Sequence, residues 1–125
     1  MADQHSNFQP QTIVQKMIDN DPFSQWLRIE VLEVLEGYCR LKMTVRTEML
    51  NGFGTLHGGV SFAFADSALA FAGNSRGTLS VALTCTVTYP KPAKTGDVLI
   101  AETKEVVNTS KTGTYDIEVK KENTD

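Results

Sequence analysis

At 125 residues, with 41% hydrophobic and 22% charged side chains, the chain has the size and composition of one globular domain with a core of its own. A balance of 12 Lys and Arg against 15 Asp and Glu leaves a net charge of −3, which offers no footprint for nucleic acid as a main partner. Residues 1–10 are polar and carry no apolar core of a secretory signal. Cys39 and Cys85 stand apart in strand-like runs that suit neither a metal site nor a disulfide framework, so the cytoplasm is the expected compartment.

Residues 1–9 are expected to be loose. Residues 11–20 carry Ile13, Val14, Met17 and Ile18 at helical spacing, with Thr12 offering a cap, and predict a short amphipathic helix that ends before Asp21-Pro22. Phe23 and Trp26 follow in an apolar joint that reads as core or lid. Residues 27–36 predict a strand in which Leu27, Ile29 and Val31 alternate with Arg28 and Glu30, and the slip at Val31-Leu32 marks a bulge. Gly37 turns the chain. Residues 38–46 return with Leu41, Met43 and Val45 on one face and Arg40, Lys42 and Arg46 on the other, a hairpin with one wet side.

The centre of the chain is residues 51–77. From Val60 to Ala72 it is Ala, Phe, Leu and Val, broken only by Ser61, Asp66 and Ser67. A helix apolar on every side belongs inside a protein, and this one falls short of the ~20 residues a membrane span needs. A sheet is therefore expected to wrap it. Asp66 is the anomaly: its helical neighbours Phe62, Ala63, Leu69 and Ala70 include no cation. In apolar surroundings a carboxylate is costly unless paired or protonated, the setting of a general base. The structural alternatives are that Asp66 caps a second helix starting at Ser67, or meets an Arg from elsewhere in the fold. His57-Gly58-Gly59 opens the helix. Two glycines there let backbone approach a ligand, and their free N–H groups attract developing negative charge, as in an oxyanion hole. His57 alone is more often a turn or capping residue than a catalyst.

Beyond Gly77, Leu79, Val81, Leu83, Cys85, Val87 and Tyr89 share one face while Ser80, Ala82, Thr84, Thr86 and Thr88 share the other, predicting a strand that Pro90 and Pro92 end. Residues 95–97 form a turn, 98–107 a long strand and 108–113 a polar turn. Residues 114–120 alternate Tyr115, Ile117 and Val119 with Asp116, Glu118 and Lys120. The order of elements predicts an α+β domain whose antiparallel sheet curls around one helix.

One pattern is specific: Asn51, five residues, His57-Gly58-Gly59, six residues, Asp66, then an apolar run closing on Asn74-Ser75-Arg76-Gly77. It resembles the hotdog-fold acyl-CoA thioesterases of the phenylacetic acid degradation (PaaI) type. The likeness extends to Tyr89-Pro-Lys-Pro-Ala-Lys94 and Lys111-Thr-Gly113-Thr-Tyr-Asp-Ile-Glu118, so it covers most of the chain. The resemblance implies a single hotdog domain over residues 1–125, working without cofactor or metal. It implies Asp66 as nucleophile or general base, the Gly58 N–H as the donor that polarises the thioester carbonyl, and Asn51 holding substrate or attacking water. His57 supports them and Gly59 lies beside the substrate. Some relatives use a Ser on the following strand; Ala82 aligns there, so that role is either absent or moved to Thr84 on the same strand face. Coenzyme A is expected along Asn74, Arg76 and Lys91, where cations meet its phosphates. The resemblance further implies a homo-oligomer, dimer or tetramer, with Asn51 and His57 of one subunit facing Asp66 of another. The family continues with a further strand, and residues 121–125 read as the turn into it.

The leading reading is hydrolysis of an acyl-CoA thioester, with phenylacetyl-CoA or a related aryl or short acyl group as substrate. The alternatives are a non-hydrolytic acyl-CoA binding or sensing module and a hotdog hydratase. Ser-His-Asp chemistry fits poorly, since no Gly-x-Ser-x-Gly elbow is present. Steady release of free thiol from acyl-CoA separates the first reading from the others.

Overall fold

In the computed structural model the described residues are 9–123. The loose stretch expected at residues 1–9 lies outside them except for Gln9, and residues 124–125 lie outside them as well. Helix α1 runs Pro10–Asp19, and Gln9 holds its N-cap position without a side-chain bond. The cap is therefore not Thr12: Pro10 at the first helical position puts the cap three residues earlier, at Gln9, because its fixed φ suits that place and its missing N–H costs nothing there. The apolar joint folds as a second, one-turn helix, α2 (Pro22–Trp26), opened by the Asp21 side chain, which accepts from the Ser24 N–H at 3.0 Å. Phe23 and Trp26 stack on each other at 5.8 Å and stay half-exposed, so they are not core.

Four antiparallel strands form one sheet in the order β1-β2-β3-β4: β1 Glu30–Leu35, β2 Tyr38–Thr44, β3 Val98–Asn108 and β4 Gly113–Lys121. The predicted bulge is present, between Val31 and Glu33. Gly37 turns β1 into β2 with φ of 71°, a left-handed backbone that glycine adopts without the strain a side chain would bring. Central helix α3 (Gly58–Asn74) lies on this sheet. Phe64, Ala68, Phe71 and Ala72 face Cys39, Leu41, Met43, Leu99 and Ala101, all buried in one core. Small Ala68 and Ala72 let the helix backbone come close, and the Cys39 thiol donates to the Ala68 carbonyl at 3.2 Å. Burying each Phe or Leu in this layer contributes roughly 1.5–3 kcal/mol.

Two expectations are corrected. The helix is not wrapped on every side: the sheet covers its 64–67–68–71–72 stripe, while Phe62, Ala65, Asp66, Leu69 and Gly73 look away from the sheet into an open trough. The strand predicted over residues 79–89 has no ladder partner among the described residues. Its apolar face is bare, with Leu79, Val81 and Leu83 exposed at 89%, 88% and 86%. Alternation marks the two faces of a strand, but a strand exists only where a neighbour takes its N–H and C=O groups. Among the described residues, the trough lies between this segment and β4.

Candidate active site

The loop before α3 is built by Asn51. Its side-chain oxygen accepts from the backbone N–H groups of Phe53 at 2.9 Å and Thr55 at 3.2 Å, and its amide donates to the Thr55 hydroxyl at 3.1 Å. Leu50 and Leu56 bridge across the loop base, which returns the chain to His57. His57 caps the helix: its Nδ1 accepts from the Gly59 N–H at 2.8 Å, while its own N–H donates to the Met49 carbonyl at 2.9 Å. Gly59 is thereby closed to a ligand. The Gly58 N–H is left without an acceptor among the described residues, at the positive end of a helix of 17 residues. It is the donor of the pair that could hold an anion.

Asp66 lies two turns further along α3. It is exposed on the trough rather than buried, because its stripe of the helix is the one the sheet leaves free. Helix α3 runs unbroken through it, so Asp66 caps no second helix, and no Arg reaches it. Among the described residues its carboxylate has neither a hydrogen-bond nor an ion-pair partner.

The trough has a volume of about 2360 Å³, with α3 as floor and residues 78–93 and β4 as walls. That is well beyond the roughly 300–1,000 Å³ of a fitted ligand pocket, so it is an open channel along the helix. It gathers Asn51, Gly58, Asp66, Asn74, Arg76, Thr84 and Lys91; His57 and Gly59 do not line it. Asn74 is occupied: its amide donates to the carbonyls of Ala70 at 2.8 Å and Ser80 at 3.1 Å, and its oxygen accepts from the Ser80 N–H at 2.7 Å. It clamps the 78–90 segment to the helix end. Arg76 is paired with Glu105 and, at 3.8 Å, with Glu36. Two carboxylates around one guanidinium leave no positive charge to draw in a phosphate. Thr84 and Lys91 are exposed on the wall, and Lys91 has no ion-pair partner among the described residues. The described residues gather no cluster of His, Cys, Asp and Glu able to hold a metal, and none of their helices is long and apolar enough to cross a membrane.

One residue absent from the sequence-derived set enters the site. Tyr89 reaches back from the far end of the wall and donates its hydroxyl to the Gly58 carbonyl at 3.1 Å. Its place before Pro90 marked the end of a strand; nothing in the local pattern tied it to a helix start 31 residues upstream.

The model of the thioesterase superfamily matches residues 53–125. The chain belongs to the thioesterase superfamily. Over 103 residues, 82% of this chain and 74% of the relative, it is 40% identical to the acyl-coenzyme A thioesterase PaaI of Escherichia coli K12. The solved structure of the E. coli PaaI protein, from the phenylacetic acid degradation operon, matches 90% of this chain and 82% of its own length with a TM-score of 0.89 and 36% identity. A hypothetical thioesterase protein of Streptococcus pneumoniae, solved with coenzyme A, matches 75% of this chain and 73% of its own with a TM-score of 0.73 and 26% identity. The sheet laid on one long helix is thus the hotdog thioesterase fold, and this thioesterase is an enzyme of the PaaI-type group of thioester hydrolases.

Proposed function

We propose that the protein hydrolyses an acyl-CoA thioester to the free acid and coenzyme A. The observation that carries the reading is that two groups of the kinds this chemistry needs, the Gly58 N–H and the Asp66 carboxylate, both line the trough and have no partner among the described residues. Asp66 takes the proton of a water that adds to the thioester carbonyl, or adds to it directly and leaves an anhydride that water then opens. Either way the carbonyl oxygen becomes an oxyanion, which the Gly58 N–H receives. The C–S bond then breaks and the electron pair leaves on the thiolate of coenzyme A, a leaving group stable enough to need little acid help. Asn51 retains one amide hydrogen beyond its bond to Thr55, free to orient the water or the substrate.

The two groups do not converge within one chain. Gly58 and Asp66 are eight residues apart on one helix, about 12 Å at 1.5 Å per residue, whereas a reacting carbon must lie ~3 Å from both. This spacing supports a homo-oligomer in which Gly58, Asn51 and His57 of one copy face Asp66 of another. A monomer that keeps full activity in light scattering would reject that assembly. The acyl group we propose is phenylacetyl or a related aryl or short chain, on the strength of the E. coli relative's operon, and Lys91 is proposed to meet the coenzyme A phosphates.

The test is thiol release from phenylacetyl-CoA and a short series of aryl and aliphatic acyl-CoAs. Turnover with at least one of them is expected. Binding of acyl-CoA with no turnover on any would overturn hydrolysis in favour of an acyl-CoA binding module.

A further inference from the structure

Glycine has the widest backbone freedom of any residue, so an oxyanion donor carried on Gly58 must be aimed by its surroundings. Three contacts do this. The peptide after Gly58 is held at its N–H by His57 Nδ1 at 2.8 Å and at its C=O by the Tyr89 hydroxyl at 3.1 Å. The third contact is the ring itself. A Cβ on Gly58 would meet Tyr89 Cζ at 3.4 Å, Cε1 at 3.5 Å and Oη at 3.7 Å, so the aromatic ring packs at van der Waals distance against the side of the residue where a side chain would begin. The peptide before Gly58 is fixed separately, since the His57 carbonyl accepts from the backbone N–H groups of Val60 at 3.0 Å and Ser61 at 3.2 Å. With both flanking peptides tied, the Gly58 N–H has one direction.

Tyr89 is itself held from both sides along the chain. Upstream, Asn74 clamps Ser80 to the end of α3. Downstream, the carbonyl of buried Ala93 accepts from the Leu56 N–H at 2.8 Å, one residue before His57. The wall segment is therefore anchored to both ends of the central helix, and Tyr89 is where it meets the N-terminus.

We propose that Tyr89 is a positioning residue that locks the Gly58 peptide and so pre-aims the oxyanion donor. The proposal rests on the role given above to the Gly58 N–H, and acts on the transition state rather than on substrate affinity. The lock is present before substrate arrives, which is what electrostatic preorganisation requires.

The test compares Tyr89→Phe and Tyr89→Ala in the intact protein. Tyr89→Phe keeps the ring and loses the hydroxyl; one neutral hydrogen bond is worth about a fivefold fall in kcat. Tyr89→Ala loses ring and hydroxyl, and the freed glycine should lower kcat by about 10²-fold. KM should stay within about twofold for both, the split that separates lost positioning from lost binding. A second readout needs no substrate: amide hydrogen exchange at Gly59, protected by His57, should quicken in Tyr89→Phe and more so in Tyr89→Ala. Unchanged kcat together with unchanged Gly59 exchange would overturn the proposal, as would a rise in KM at constant kcat. If the wild-type protein turns over no thioester, the hydrolase reading falls, and the exchange measurement still decides whether Tyr89 locks Gly58. Tyr89 is 53% exposed, so neither variant endangers the fold.

Discussion

Replacing Asp66 by Asn separates chemistry from structure at this site. Asn is nearly isosteric but takes up no proton and attacks no carbonyl, so general-base loss should lower kcat by about 10²–10⁴-fold, or about 2.7–5.4 kcal/mol of barrier. The stability change follows from the surroundings. Asp66 is exposed on the trough and has no hydrogen-bond or ion-pair partner among the described residues, so the exchange breaks no native interaction. Substitutions at such places stay within about 0.5 kcal/mol, or about 2 °C in Tm for a domain of this length. Thiol release from an acyl-CoA beside a thermal melt reads both quantities in one preparation. A cap or an ion-pair partner would behave in the opposite way, losing about 1 kcal/mol while turnover survives. Turnover of Asp66→Asn within about threefold of wild type would refute the role of the carboxylate.

Asn74→Ala removes three hydrogen bonds, two of which hold the 78–90 segment at Ser80, so stability should fall by about 1–3 kcal/mol and proteolysis should cut within that segment sooner. Lys91→Ala should raise KM for acyl-CoA by about three- to tenfold with kcat nearly unchanged, whereas Arg76→Ala should leave KM alone and cost about 0.5–1 kcal/mol of stability through its lost pairs with Glu36 and Glu105. Burial, then the hydrogen bond to the Glu102 carboxylate at 2.6 Å, push the Tyr38 hydroxyl from 10.0 up to about 12, while that same bond holds Glu102 below its ordinary value. The unfolded chain gives up the Tyr38 proton first, so the stability from this group is whole below pH 10 and is lost as pH rises to about 12. The Glu102 share is present at neutral pH and is lost on acidification. Melts of Tyr38→Phe across both ranges should show a flatter profile than wild type at each end.

The sequence by itself determined the elements whose evidence is local. The helical spacing of Ile13, Val14, Met17 and Ile18, the hairpin around Gly37, the bulge at Val31 and the alternation through β3 and β4 each depend on neighbours within a few residues, and all are present. The spacing of Asn51, His57, Gly58, Gly59 and Asp66 was equally legible, and it named the family. Tertiary structure alone decided which side of α3 is covered. A uniformly apolar helix carries no record of the face it turns to the sheet, so Asp66 read as buried and is exposed. The same holds for residues 79–89, whose alternation promised a strand although no neighbour pairs with it among the described residues. The work of single side chains was invisible for the same reason. Arg76 read as a phosphate ligand and is held by Glu36 and Glu105, Asn74 read as a substrate contact and clamps Ser80, and Tyr89 read as a strand end and locks Gly58. Periodicity reports the forces along a chain, whereas partners across space depend on where the chain returns, and only the folded packing sets that.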